Sequence, residues 1–489
     1  MFKFDNSYSK LPDVLFERVD PVAVKSPTII KFNHALGQKL GLDFECLGSG
    51  VGAKLFSGNE LFQKSEPLAM AYAGHQCGSW APRLGDGRAV LLGEVVDEDG
   101  QRQDIQLKGS GRTGFSRDGD GRAWIGPILR EYVVSEAMAA LKIPTTRALA
   151  AVATGEDIYR EQIVPGAILT RVSSSYIRVG TFQYLAASND LSSLKALADY
   201  TIDRHFPAIK DQDNPYLGLL DEMISRQASL ISKWMGVGFI HGVMNTDNVS
   251  VVGETLDYGP CAFMDIYDPN TVFSSIDWEG RYAYGNQPYI GLRNCVYFAS
   301  SLLPLLNDDQ DQAVAIAEQT LASFQERYDA AWQAELGSKI GLSNATIKDH
   351  DLGKDFLEYM VENRVDFTQA FRKLSDLELE ISAKDVPLLN MFNNDTAFQS
   401  WLVRWRSRLK QQGHNESQRQ AAMRSINPAV IPRNYQVEAM ISHALVGDYH
   451  PFEKLLSAVT NPFEALSQHA AYQLPPETVD HTYETFCGT

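Results

Sequence analysis

The run His241-Gly-Val-Met-Asn-Thr-Asp-Asn248, followed by Asp257-Tyr-Gly259, gathers carboxylates and side-chain amides into one short span. Many kinase-like phosphotransferases carry His-Gly-Asp, four residues, then Asn, and later Asp-x-Gly. One carboxylate takes the acceptor's proton, while the Asn and the second Asp hold a metal on the phosphates. Asn248 stands where the metal-binding Asn belongs, and Asp257-Tyr-Gly259 resembles Asp-Phe-Gly. The usual proton acceptor is replaced by Val243, which cannot take a proton; the nearest carboxylate that can is Asp247. An Asp before Asn can also simply bond its own turn. The joint spacing favours catalysis for Asp247 and metal binding for Asn248 and Asp257, oxygen ligands that suit Mg²⁺.

Other residues could serve a nucleotide. Lys108 ends a strand, as the phosphate-contacting lysine of kinase-like folds does. Glu131 and Glu136 lie on the following helix, and periodicity does not choose which of them would fix Lys108. Arg171 and Arg178 flank Val-Ser-Ser-Ser-Tyr-Ile and could clamp phosphate oxygens. Arg83-Leu-Gly85-Asp-Gly87-Arg88 is either a tight turn or a place where backbone amides and Arg88 approach phosphates. Gly109-Ser-Gly-Arg-Thr-Gly114 formally matches a dinucleotide fingerprint. Further turn residues, Ser116 to Arg122, separate it from Pro127, whereas a Rossmann helix begins inside its glycines. Residues 109–122 therefore read as a long anion-embracing loop with Asp120 and Gly121 in reach. There is no Walker A sequence.

These residues must be held by surrounding elements. Arg88 to Val96 and Gln103 to Lys108, joined by Asp97-Glu-Asp-Gly100, predict a β-hairpin. Ile128 to Leu141, after Pro127, predicts a helix. Strands follow around Thr146 to Val152 and Ala167 to Val172, and the chain turns helical near Thr181. Tyr216 to Trp234 delivers it to His241, and Gln310 to Leu336 and Phe398 to Lys410 read as later helices. The expected class is α+β, with a β-rich part over 1–180, a helical part over 181–305 and a helical extension over 306–489.

Composition narrows the partners. Lys+Arg 44 against Asp+Glu 61 gives a net charge of −17, which disfavours general nucleic-acid binding. No apolar run is long enough to span a membrane, and the first residues lack a signal-peptide core. The five cysteines show no metal spacing, so a reducing cytoplasm is the expected compartment. Cys487, in Phe-Cys-Gly-Thr489, reads first as an exposed thiol.

Together the residues resemble the selenoprotein O (YdiU) family of protein adenylyltransferases. The matching text includes Gly85-Asp-Gly-Arg88, Leu107-Lys-Gly-Ser-Gly111, Ser116-Arg-Asp-Gly-Asp-Gly-Arg122, His241 to Asn248, Asp257-Tyr-Gly-Pro260 and Pro432-Arg-Asn-Tyr435. The resemblance implies a kinase-like bilobal fold that binds ATP in a reversed orientation. It also implies transfer of AMP to Ser, Thr or Tyr hydroxyls of proteins, with ATP as co-substrate and Mg²⁺ or Mn²⁺; UTP is an alternative donor. By that resemblance Asp247 would accept the proton, and Asn248 and Asp257 would bind the metal. Lys108, held by Glu131, would contact phosphates with Arg171 and Arg178. Gly85, Gly87, Arg88, Asp120 and Gly121 would complete the nucleotide site. Selenocysteine lies near the C-terminus of eukaryotic members, which gives Cys487 a redox reading with Cys261 as candidate partner. The competing readings are a conventional kinase, against which Val243 counts, and a non-catalytic scaffold, against which Lys108, Asn248 and Asp257 count.

Overall fold

The computed structural model describes residues 2–42, 48–342, 347–413, 415–477 and 485. Cys487 lies outside them. The first part of the chain builds one antiparallel sheet from Phe16–Arg18 (β1), Thr28–Phe32 (β2), Leu68–Met70 (β3), Ala89–Val96 (β4), Arg102–Lys108 (β5), Ala123–Trp124 (β6), Arg147–Tyr159 (β7) and Ile163–Ser173 (β8). The order is β1-β3-β4-β5-β8-β7-β2, with β6 pairing β8. The hairpin expected on either side of Asp97–Gly100 is β4–β5.

Register decides what the sheet can hold. β5 and β8 run antiparallel with Gln106 opposite Arg171 and Lys108 opposite Leu169. Alternation along a strand then puts Gln106, Lys108, Leu169 and Arg171 on one face, and Ile105, Leu107, Ile168 and Val172 on the other. The second set joins an apolar cluster with Phe32, Phe56 and Leu149. The first set faces the helix Ile125–Ala140 (α1), whose Ile128, Leu129 and Val133 pack with Leu169. α1 begins two residues before Pro127, where the missing N–H costs nothing because the first-turn donors have no partner inside the helix.

The rest is helical. Asn214 caps Pro215–Val237 by accepting from the Leu217 N–H at 3.0 Å, and Gly238 ends that helix in the left-handed conformation. Its Leu219, Leu220, Met223 and Ile231 enter a large apolar cluster that includes Phe298, Phe371 and Trp401. The segment expected as one helix over Gln310 to Leu336 is two, Gln310–Leu321 and Ser323–Lys339, interrupted at Ala322. The class is α+β, as expected. Among the described residues no helix is long and apolar enough to cross a membrane.

Candidate functional site

Where the sheet meets the helical part, a cavity of about 870 Å³ is lined by Arg88, Lys108, Arg171, Arg178, Asp247, Asn248 and Asp257. Gly85, Gly87, Asp120 and Gly121 also line it, so the sequence-predicted residues converge from positions far apart in the chain. Glu131 sits behind them, buried.

Asp257 is the electrostatic centre. Its Oδ1 lies 3.3 Å from Lys108 Nζ and 2.5 Å from Arg171 Nη1, and its Oδ2 lies 2.5 Å from Arg178 Nη1. Burial alone would raise its pKa, but the three cations hold the carboxyl well below the usual range. Its φ is +56°, a left-handed conformation that Asp tolerates better than most residues. The cations are themselves braced. Lys108 Nζ is 2.5 Å from Glu131 Oε2, and Arg171 reaches Glu131 Oε1 at 3.0 Å and Gln106 Oε1 at 2.5 Å. Arg178 donates to the Asp247 carbonyl at 2.6 Å and lies over the Tyr72 ring.

The choice between the two helix carboxylates is thus settled by geometry. Glu131 meets Lys108, whereas Glu136 accepts from Arg147 Nε and Nη2 at 2.9 and 2.8 Å. Five positions on a helix differ by about 140°, so the two carboxylates face different neighbours.

Asp247 sits in the single turn Thr246–Asn248 and is 8% exposed. Its Oδ2 accepts from Gln76 Nε2 at 3.3 Å, and its Oδ1 is buried with no hydrogen-bond partner. Burial pushes its pKa up. Asn248 donates from Nδ2 to the Val243 carbonyl at 3.2 Å, leaving its amide oxygen as the acceptor. His241 is structural: it is buried, with Nε2 2.9 Å from the Leu256 carbonyl and its ring against Trp234.

The glycine turns behave differently from one another. The amides of Gly85, Asp86 and Gly87 donate to the carbonyls of Tyr72, Met70 and Gly85, which supports the tight-turn reading; Arg88 still lines the cavity. Asp120 holds Arg160 at 2.8 Å and accepts from the Arg122 N–H, so the 109–122 loop carries its own ion pair. Thr485 donates from Oγ1 to the Pro260 carbonyl at 2.7 Å, next to the buried Cys261.

Sequence reasoning missed Asp86, Gln76 and Tyr72. Asp86 is buried under the site, accepting from Gln106 Nε2 at 3.0 Å, and burial pushes its pKa up. Its Gly-Asp-Gly setting was the one available signal. Gln76 has none, because its contact lies 171 residues away.

A family model described as protein adenylyltransferase SelO matches residues 1–460. A protein nucleotidyltransferase YdiU of Rhodopseudomonas palustris (strain HaA2) is 54% identical over 490 residues, covering 100% of this chain and 99% of that protein. The protein nucleotidyltransferase YdiU of Rhizobium johnstonii is 54% identical, covering 100% of this chain and 97% of that protein. The one from Methylorubrum populi is 52% identical, covering 100% and 99%. A cation-lined cavity built from residues between Tyr72 and Ile276, in a chain matched along nearly its whole length, has one consistent assignment: the chain belongs to the SelO protein adenylyltransferase family and is a nucleotidyltransferase.

Proposed function

We propose that the chain transfers AMP from ATP to Ser, Thr or Tyr hydroxyls of proteins and releases pyrophosphate. The observation that carries this reading is the convergence of Lys108, Arg171 and Arg178 on one carboxylate, beside a second carboxylate with an unpartnered buried oxygen. Three cations balanced by Asp257 and Glu131 form a site that phosphate oxygens can enter by taking over the Asp257 contacts. The acceptor hydroxyl oxygen forms a bond to the α-phosphorus, the bond from that phosphorus to the bridging oxygen breaks, and pyrophosphate leaves. Asp247 Oδ1 takes the hydroxyl proton, the role that Val243 cannot fill. Lys108, Arg171 and Arg178 hold the departing phosphates, where charge grows.

Asn248 and Asp257 offer hard oxygen donors and, among the described residues, no group of three His, Cys, Asp or Glu gathers to hold a metal. That partial oxygen shell fits Mg²⁺ or Mn²⁺, which complete their coordination with phosphate and water. When bound there, the ion supplies neutralising charge on the phosphates. In this reading 1–180 and 181–305 act as the two lobes of a kinase-like fold, with 306–489 as an added helical extension.

The test uses ATP labelled at the α- or the γ-phosphate, incubated with the chain and a mixed Ser/Thr/Tyr peptide pool. Label is expected to enter peptide from the α-position only, with pyrophosphate appearing alongside. Entry from the γ-position restores the ordinary kinase reading.

A second expectation concerns the anion loop. Gly121 has φ +69°, and a Cβ there would lie 2.1 Å from the Gly111 carbonyl oxygen. Gly121→Ala therefore forces residues 109–122 apart at a cost of about 1–3 kcal/mol. It should weaken ATP binding about tenfold by calorimetry while leaving the bound-state rate near wild type; unchanged affinity would remove the loop from the nucleotide site.

A further inference from the structure

We infer that Gln76 is a positioning residue for transfer: the hairpin Gly74–Ala81 sets which oxygen of Asp247 meets the acceptor hydroxyl. This rests on the assignment of Asp247 as proton acceptor.

The hairpin strands Gly74–Gln76 and Ser79–Ala81 pair only with each other, so the main sheet does not hold them. They are held instead by the loop that carries Asp247. The His75 N–H donates to Thr246 Oγ1 at 2.7 Å, and the Cys77 N–H donates to Asn245 Oδ1 at 3.0 Å. Asn245 Oδ1 also accepts from the Tyr282 hydroxyl at 2.6 Å, and the His75 ring stacks on Tyr297 with its Nδ1 2.9 Å from Gln183 Nε2. Backbone bonds on both sides of Gln76 thus fix it relative to residues 245–247. Gln76 is the one residue whose side chain donates to the Asp247 carboxylate among the described residues.

A carboxylate that rotates presents either oxygen to a substrate. Here Oδ2 is occupied by an amide donor and Oδ1 has no partner, although both belong to a nearly fully buried group. A buried acceptor without a partner is costly in a resting protein, and such sites recur where a reacting group will arrive. Gly74 contributes from the other side. A Cβ at that position would lie 2.5 Å from Asp247 Oδ1, so the absent side chain keeps that oxygen clear. Gln76 and Asp247 both line the cavity, which puts the pair where an acceptor enters.

Gln76 does not touch the transferred group, so its loss should act through Asp247 alone. Gln76→Met keeps length without a donor, and Gln76→Glu keeps shape while replacing the donor by an acceptor. Both are expected to lower kcat for α-label transfer to the peptide pool about tenfold or more, with the KM for ATP within about twofold of wild type. Gly74→Ala should show the same split. In an Asp247→Ala background, Gln76→Met should cause no further loss, because there is nothing left to position. A wild-type kcat in the Gln76 variants, or an equal additional loss in the Asp247→Ala background, overturns this inference. A rise in KM for ATP with kcat unchanged would make Gln76 a nucleotide-binding residue and overturns it too. If Asp247→Ala itself retains full rate, or wild type transfers no α-label, the proposed function fails first, and the two failures are distinguishable.

Discussion

Asp257→Asn should leave a folded protein whose transfer rate is down by about a thousandfold or more, some 4 kcal/mol of barrier. The amide keeps the shape and one oxygen, and the residue still suits φ +56°, so backbone geometry is not the cause. What disappears is the negative charge that both balances Lys108, Arg171 and Arg178 and would bind the metal. Breaking a buried ion pair typically costs about 3–5 kcal/mol, and the lower end is expected here. Arg171 keeps Glu131 and Gln106, and Arg178 keeps the Asp247 carbonyl and the Tyr72 face. The thermal midpoint should therefore fall by several degrees without loss of cooperativity. Calorimetry in EDTA should show ATP binding retained or tightened, since its phosphates inherit three cations released from a competitor. Near-wild-type turnover of the folded variant at saturating Mg²⁺ would sink the role assigned to Asp257.

Asp247→Asn is the second large effect, and it should have the opposite stability signature. Loss of a general base typically lowers kcat by about 10²–10⁴, here with the KM for ATP nearly unchanged, because the group acts on the transition state and not on nucleotide binding. The native carboxylate is buried with one oxygen unpartnered, and burial pushes its pKa up. Replacing a charged group by a neutral one at such a place should leave the thermal midpoint equal or higher, the usual trade between stability and activity at functional sites. Lost ATP binding with an unchanged single-turnover rate would instead make Asp247 a binding residue.

The contrast between these two aspartates bears on what can be read from sequence. Asp247, Asn248 and Asp257 were legible as candidates because they lie within a short span of sequence, and the structure brings all three to one cavity. The β4–β5 hairpin and α1 were legible because alternation and proline placement are local as well. Glu131 and Glu136 stayed ambiguous, since periodicity says that both are on a helix but not which face meets the sheet; only the position of Lys108 resolves it. Nothing in the sequence around Arg171 and Arg178 signals burial, yet both are 2% exposed, because the partner that compensates them is Asp257. Gln76 was out of reach for the same reason, and Asp86 had only its Gly-Asp-Gly setting as a signal. Their meaning lies in contacts closed by tertiary folding, which no short window contains.

The alternation of β5 and β8 has a consequence for how the molecule assembles. One face of the pair carries Gln106, Lys108 and Arg171, and the other carries Ile105, Leu107, Ile168 and Val172. A strand that zipped up one residue out of step would send Lys108 or Arg171 into the cluster around Phe32 and Phe56, away from any carboxylate, and bring leucine or isoleucine against Glu131. Stranding a charge in such a place costs several kcal/mol per ion, a large share of the net stability of a typical domain. A misaligned sheet is therefore strongly disfavoured against the native register. The cations proposed to meet a nucleotide thus act as a checksum on the sheet, because the native register gives them their carboxylate partner.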